Sequence, residues 1–227
     1  TVENLLTMSS GMDCDDADPN SKGQQWKMYP TEDWLEFFIS LPSVRSPGKA
    51  FAYCSGGVIA LGGVLERATG MSISDFSEQY LFEPMGIHDF TWIKYKWGTS
   101  TSGALLLRPR DMAKLGQMML DGGQWNGQQI VPRDWVRASR AKQIELKFKS
   151  REWFDEYGYL WWRGNLEIQG SIYQPYAAWG MGGQLIIIFP KEDMVIVFTT
   201  GNEKGDGNIP LRITEKYILP AILEGAP

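Results

Sequence analysis

Two spacings in this chain pair a serine with a group that could take its proton. Residues 46–57 read SPGKAFAYCSGG and contain Ser46 and Lys49 as a Ser-x-x-Lys, followed by Tyr53 and Ser55 as a Tyr-x-Ser. Ser139 and Lys142 form the other Ser-x-x-Lys. On a helix, i, i+3 spacing puts hydroxyl and amine on one face, where a desolvated lysine can act as base. Pro47 and Gly48 lie inside the first pair, so a turn is expected there. The second pair falls on an expected helix, but Arg137 and Arg140 flank it and its surroundings read as exposed. Chance spacing accounts for both pairs better than catalysis does. Tyr53 is either a proton relay or an ordinary packed aromatic before a helix.

Other chemistries find fewer residues. His88 is the single histidine, it sits in a loop-like GIHDF, and no G-x-S-x-G elbow supplies a nucleophile for it. One histidine and two distant cysteines make no metal-ligand spacing, so no metal site and no cofactor is expected. Asp13, Asp15, Asp16 and Asp18 lack the spacing of a calcium loop and read as a solvated acidic loop. The stretch WGMGGQ precedes a strand, whereas a phosphate cradle opens a helix.

The elements that must position these residues divide by character. Thr1 can cap a short helix carrying Leu5, Leu6 and Met8, and Thr31 can cap WLEFFISL. A short extended FAY leads into SGGVIALGGVLERATG, a helix expected to be buried and stopped by Gly70. Residues 72–86, DMAKLGQMML and PRDWVRASRAK read as further helices. After about residue 155, YGYLWWRG reads as a strand, GGQLIIIFP and KEDMVIVFTTGN as a hairpin, and LRITEKYILPAIL as a helix covering the sheet. The expected fold is α+β: residues 1–150 mostly helix and loop, residues 151–227 antiparallel strands plus a terminal helix, all one structural unit.

Composition removes other classes. Hydrophobic residues at 43% and charged residues at 22% are those of a folded body, which excludes a disordered or fibrous chain. A net charge of -5 without basic–aromatic interleaving argues against nucleic acid. The longest apolar runs, VIALGGVL and LIIIF, are too short to span a bilayer. Cys14 and Cys54 could form one disulfide or remain two buried thiols, so the compartment stays open.

TVENLLTMSSGMD, SPGKAFAYCSGGVIALGGVLERATGMSISDFSEQYLFEPMGI, GALLLRPRDMAKLGQMMLDGGQWNGQQIVPRDWV, YGYLWW and WGMGGQLIIIFPKEDMVIVFT resemble, in that order, the class C β-lactamase and DD-peptidase-like serine hydrolases. That family also contains esterases and an aminohexanoate-dimer hydrolase. The resemblance implies that Tyr53 takes the place of the catalytic tyrosine of a Tyr-x-Asn and Ser55 that of its asparagine. It implies that Met181, Gly182 and Gly183 replace a Lys/His-x-Gly strand motif, with the Gln184 N–H as an oxyanion donor. The family's Ser-x-x-Lys and first strands are then expected before Thr1, making this a truncated β-lactamase-like fold. Met181 in place of a cation favours small uncharged esters, or amides, over β-lactams. Without that segment, self-association or a complementing N-terminal fragment is expected, and the family leans toward a periplasmic or extracellular setting. The competing reading is a non-catalytic binding protein whose Trp161, Trp162, Trp92 and Trp97 form a ligand platform, although Trp161 and Trp162 alternating on a strand would put one of them in the core.

Overall fold

The structure is a computed structural model and describes residues 1–95, 98–146, 153–201 and 206–225. Trp97 lies outside the described residues. The chain forms two compact units, Thr1–Arg108 and Pro109–Pro227. No helix among the described residues is long and apolar enough to cross a membrane.

In the first unit, Thr1 caps the helix Val2–Leu6, its hydroxyl oxygen accepting from the Asn4 N–H at 3.2 Å. That helix stops before Met8, which turns the chain at φ +54°. Asp33, not Thr31, caps the helix Trp34–Ile39, its carboxylate accepting from the Glu36 N–H at 2.8 Å. The reason is phase: a start at Trp34 puts Trp34 and Phe38 on one buried face. The helix Ser55–Thr69 is capped by Cys54 and ends at Gly70, whose φ of +71° makes it the expected stop.

Only the first half of this helix is buried, at Ser55, Gly56, Gly57, Ala60 and Gly62, while residues 66–70 are exposed. Its glycines are dictated by close neighbours: a Cβ on Gly56 would lie 2.9 Å from the Phe38 ring, and one on Gly62 2.6 Å from Thr101 Cγ2. The helix Ile73–Ser77 then widens into a π-helical turn over Glu78–Phe82. Short two-stranded pairs, such as Phe90–Trp92 with Leu105–Leu107, interrupt a region expected to be helix and loop.

The second unit carries a six-stranded antiparallel sheet, where sequence suggested two or three strands. Its order is Met194–Phe198, Gln184–Phe189, Tyr176–Gly180, Trp162–Gly164, Phe154–Tyr157 and Ile144–Glu145. The expected hairpin is present, with register from Leu185↔Phe198 to Phe189↔Met194. YGYLWWRG is not one strand. Leu160 turns the chain at φ +60° and the Gly158 N–H donates to the Trp161 carbonyl at 2.8 Å, so Trp161 sits in the connection and does not alternate with Trp162.

Leu185, Ile187, Ile188 and Phe189 are fully buried and form the apolar centre of this unit. The helix Pro109–Leu120 reaches the sheet through Gly116, where a Cβ would lie 2.5 Å from Val195 and 2.9 Å from Ile186. At the C-terminal end, Ile209–Ile213, a π-helical turn Thr214–Ile218 and Leu219–Gly225 bury Leu211, Thr214 and Leu219. The Trp153 indole ties this segment down by donating to Glu215 Oε2 at 3.3 Å. The wider turn precedes Pro220, which has no N–H to continue an α-helical ladder. The chain is therefore of the expected α+β class.

Candidate active site

Phe51, Ala52 and Tyr53, the short stretch before the helix, join no strand. Individual hydrogen bonds hold them instead: the Ala52 N–H donates to the Met8 carbonyl and the Asp16 N–H to the Tyr53 carbonyl, each at 2.8 Å. Tyr53 is half-buried and Ser55 is buried at the first turn of the Ser55–Thr69 helix. Between them, Cys54 is joined to Cys14 by a disulfide with Cα atoms 5.4 Å apart. Its sulfur also accepts from the Gly57 N–H at 3.2 Å. The Tyr-x-Ser backbone is thus fastened at all three residues.

Asp16 is the residue that sequence reasoning missed. It was assigned to a solvated acidic loop, yet its carboxylate accepts from the Ser55 N–H at 2.8 Å and from the Gln25 N–H at 2.9 Å. Burial pushes its pKa up, with the Asp15 charge adding to the effect, against the opposing hydrogen bonds from Ser55 and Gln25. Gln25 continues the network, its Oε1 accepting from the Ser55 hydroxyl at 3.4 Å and the Tyr29 hydroxyl at 3.2 Å. Burial and the Asp16 charge raise the Tyr29 pKa. From Tyr29 an aromatic row runs to Trp34 and Tyr95, at centroid separations of 5.4 and 4.7 Å. No local pattern marks Asp16, because its partner Ser55 is 39 residues away.

Neither Ser-x-x-Lys is a helical pair. Ser46 and Lys49 are exposed, and Gly48 between them has φ +78°. The helix Arg133–Ser139 ends before Lys142, contrary to the longer helix expected there. Ser139 is buried rather than exposed and donates to the Val136 carbonyl at 3.0 Å. Lys142 pairs with Glu156 at 3.1 Å, and hydrogen bonding to that carboxylate raises its pKa. Lys142 and Ser139 are thus each engaged with another partner, the one with Glu156 and the other with the Val136 carbonyl.

Met181, Gly182, Gly183 and Gln184 lie in the second unit. Met181–Gly183 form a turn, not the strand position implied by the resemblance, and Gln184 opens the strand Gln184–Phe189. The physical reason is backbone conformation: Gly182 and Gly183 have φ of +85° and +91°. A Cβ on Gly183 would lie 2.5 Å from the Thr200 hydroxyl. That hydroxyl donates to the Gly182 carbonyl, and the Gln184 side chain donates to the Thr200 carbonyl at 2.6 Å, so the turn is tightly held. Met181 projects outward, 65% exposed.

His88 is exposed, and among the described residues no three His, Cys, Asp or Glu side chains gather to hold a metal. Trp162 is in the core, edge-on to Tyr157 at 5.0 Å, and Trp161 packs on Tyr176 at 5.2 Å. The Trp92 indole donates to Ser77 at 2.9 Å. Trp161 and Trp162 therefore do not form an exposed platform.

Among the proteins that resemble this chain are two curated relatives and one solved structure. The 6-aminohexanoate-dimer hydrolase of Paenarthrobacter ureafaciens is 28% identical over 214 residues, covering 87% of this chain and 53% of that protein. The lovastatin esterase of Penicillium rubens is 28% identical over 127 residues, covering 54% of this chain and 32% of the esterase. This chain thus spans about half the length, or less, of the curated relatives it matches. A Bacillus anthracis structure provisionally called a 6-aminohexanoate-dimer hydrolase has a TM-score of 0.77 at 22% identity, covering 100% of this chain and 62% of its own. The family model described as Beta-lactamase matches residues 1–214, from the capped first helix through the six-stranded sheet. On that match the chain belongs to the Beta-lactamase family.

Proposed function

We propose that this chain forms part of a β-lactamase-like serine hydrolase of small uncharged esters, whose nucleophilic serine and lysine lie outside these 227 residues. The observation that carries the reading is Tyr53, a half-buried phenol whose backbone is bonded on both sides. In this reading the serine oxygen adds to the ester carbonyl while its proton moves to the Tyr53 oxygen, which passes its own proton to the lysine and takes it back for the next step. Tyr53 then protonates the departing alcohol, and water releases the acid by the same route in reverse. The Gln184 N–H is the oxyanion donor, at the head of a rigid strand behind two glycines. Ser55, smaller than an asparagine and already engaged with Gln25, weakens amide recognition, and Met181, exposed and uncharged, offers no partner to a substrate carboxylate.

The curated relative named lovastatin esterase supports the ester chemistry, and the one named dimer hydrolase keeps amides within reach. The Cys14–Cys54 disulfide fits an oxidising compartment. Self-association, or a complementing N-terminal fragment, belongs to the same reading.

The test mixes the chain with a separately expressed segment from upstream in its own coding sequence. p-Nitrophenyl acetate turns over, a chromogenic cephalosporin does not, and Tyr53→Phe lowers kcat by about 10²–10⁴-fold. An active-site serine probe mapping to Ser139, or cephalosporin turnover matching the ester's, would sink the reading. A mixture that neither turns over ester nor acylates would leave the non-catalytic binding protein as the better account.

A further inference from the structure

The second unit contains a cavity of about 280 Å³ whose lining includes Arg137, Arg140, Arg163, Gln174, Tyr176 and Lys191. Tyr176 opens the strand that ends at Gly180, roughly 13 Å along at strand rise. The cavity is therefore separate from the Met181–Gln184 turn. Among the described residues its lining contains four cations and no carboxylate.

Two of those cations are already balanced. Arg137 pairs with Asp134 at 3.2 Å and Arg163 with Glu156 at 3.1 Å, although Glu156 is shared with Lys142. Arg140 and Lys191 have no ion-pair partner among the described residues, which leaves two positive charges uncompensated.

Tyr176 is 2% exposed, and among the described residues its phenolic oxygen has no hydrogen-bond partner of good geometry, although the Arg140 guanidinium is near enough to pull on it. The Arg140 guanidinium carbon lies 5.9 Å from the ring centroid without a well-formed bond to that oxygen. Burial pushes the phenol up to about 12 against the pull of Arg140, so the hydroxyl keeps its proton and can donate. A buried hydroxyl left without a partner is costly, and the groups around it supply positive charge only.

We propose that this cavity binds a small dianionic oxyanion, inorganic phosphate or a phosphate monoester, through Arg140, Lys191 and Arg163, with the Tyr176 hydroxyl donating to it. Two free cations match two negative charges, and guanidinium forks match the spacing of phosphate oxygens. The site is independent of the hydrolase reading and is tested without it.

The full chain is titrated by calorimetry with inorganic phosphate, glycerol 3-phosphate, malonate and chloride at constant ionic strength. Phosphate or the monoester binds saturably and chloride does not; the tighter of the two phosphates identifies the natural source. Arg140→Gln weakens binding by about tenfold, and Tyr176→Phe and Lys191→Gln by about fivefold each. Lys191 is exposed beside a turn, so its variant keeps the fold and remains informative if Arg140→Gln does not. The proposal is overturned by no saturable phosphate binding at concentrations on the order of 10 mM. Malonate binding as tight as phosphate, or unchanged affinity in Lys191→Gln, overturns it as well.

Discussion

Asp16 shows what one side chain does that its neighbours in sequence do not. Its carboxylate accepts two backbone N–H groups, from Ser55 and Gln25. Asp16→Ala leaves both donors without that acceptor and should lower unfolding free energy by about 1–3 kcal/mol in urea titrations at neutral pH. The pH dependence has a definite sign. Because the folded pKa is raised above the ordinary 3.8, the native state holds this proton when the unfolded chain has lost it. Stability through Asp16 therefore falls as pH rises from 3.8 through the raised folded value, and the charge-free Asp16→Asn lacks that component. Melting temperatures of both proteins across acid pH read the difference, and parallel curves would refute it. Tyr53 entered as a candidate through the family resemblance of its Tyr-x-Ser, but Asp16 did not, because an acidic loop looks alike whether solvated or folded back.

At the level of elements, close approach and cross-linking carry the predictions. Gly116 faces Val195 and Ile186 with no room for a methyl group, so Gly116→Ala should destabilise the second unit by about 1–3 kcal/mol despite its better helix propensity. Gly70→Ala tests a different cause, since nothing crowds it and only its φ of +71° resists substitution. A larger loss at Gly70 than at Gly116 in thermal melts would reverse this assignment. The Cys14–Cys54 bridge closes a separation of 40 residues, and Cys14→Ser with Cys54→Ser should cost about 4 kcal/mol by loop closure. The same double variant frees the middle residue of Tyr-x-Ser, so protection of the Ser55 N–H from hydrogen exchange should fall with it. Helix starts and stops near Thr1, Ser55 and Gly70 were readable because caps are local chemistry. The end of the Arg133–Ser139 helix was not, since it is decided where the Gly158 backbone meets the Ser139 carbonyl: a Cβ on Gly158 would lie 2.2 Å from it.

For the molecule as a whole, light scattering of the purified chain should find an assembly larger than 25.7 kDa, or one that returns to monomer when the upstream segment is added. A stable monomer unaffected by that segment would count against the expected complementation. The exposed apolar side chains Trp26, Ile39 and Val44 in the first unit give self-association a physical basis. The sequence by itself determined the α+β class, the central hairpin, the capped helix behind Tyr53 and the order of family motifs. The first three rest on periodicity, capping and turn signals within a few residues, and the last on a resemblance that runs along nearly the whole chain. Tertiary structure alone decided that Cys14 meets Cys54, that Asp16 holds Ser55, that Met181–Gly183 turn rather than extend, and that four cations share one cavity lining with Tyr176. Those outcomes depend on groups brought together from distant parts of the chain, where burial and charge act only after the fold has placed them.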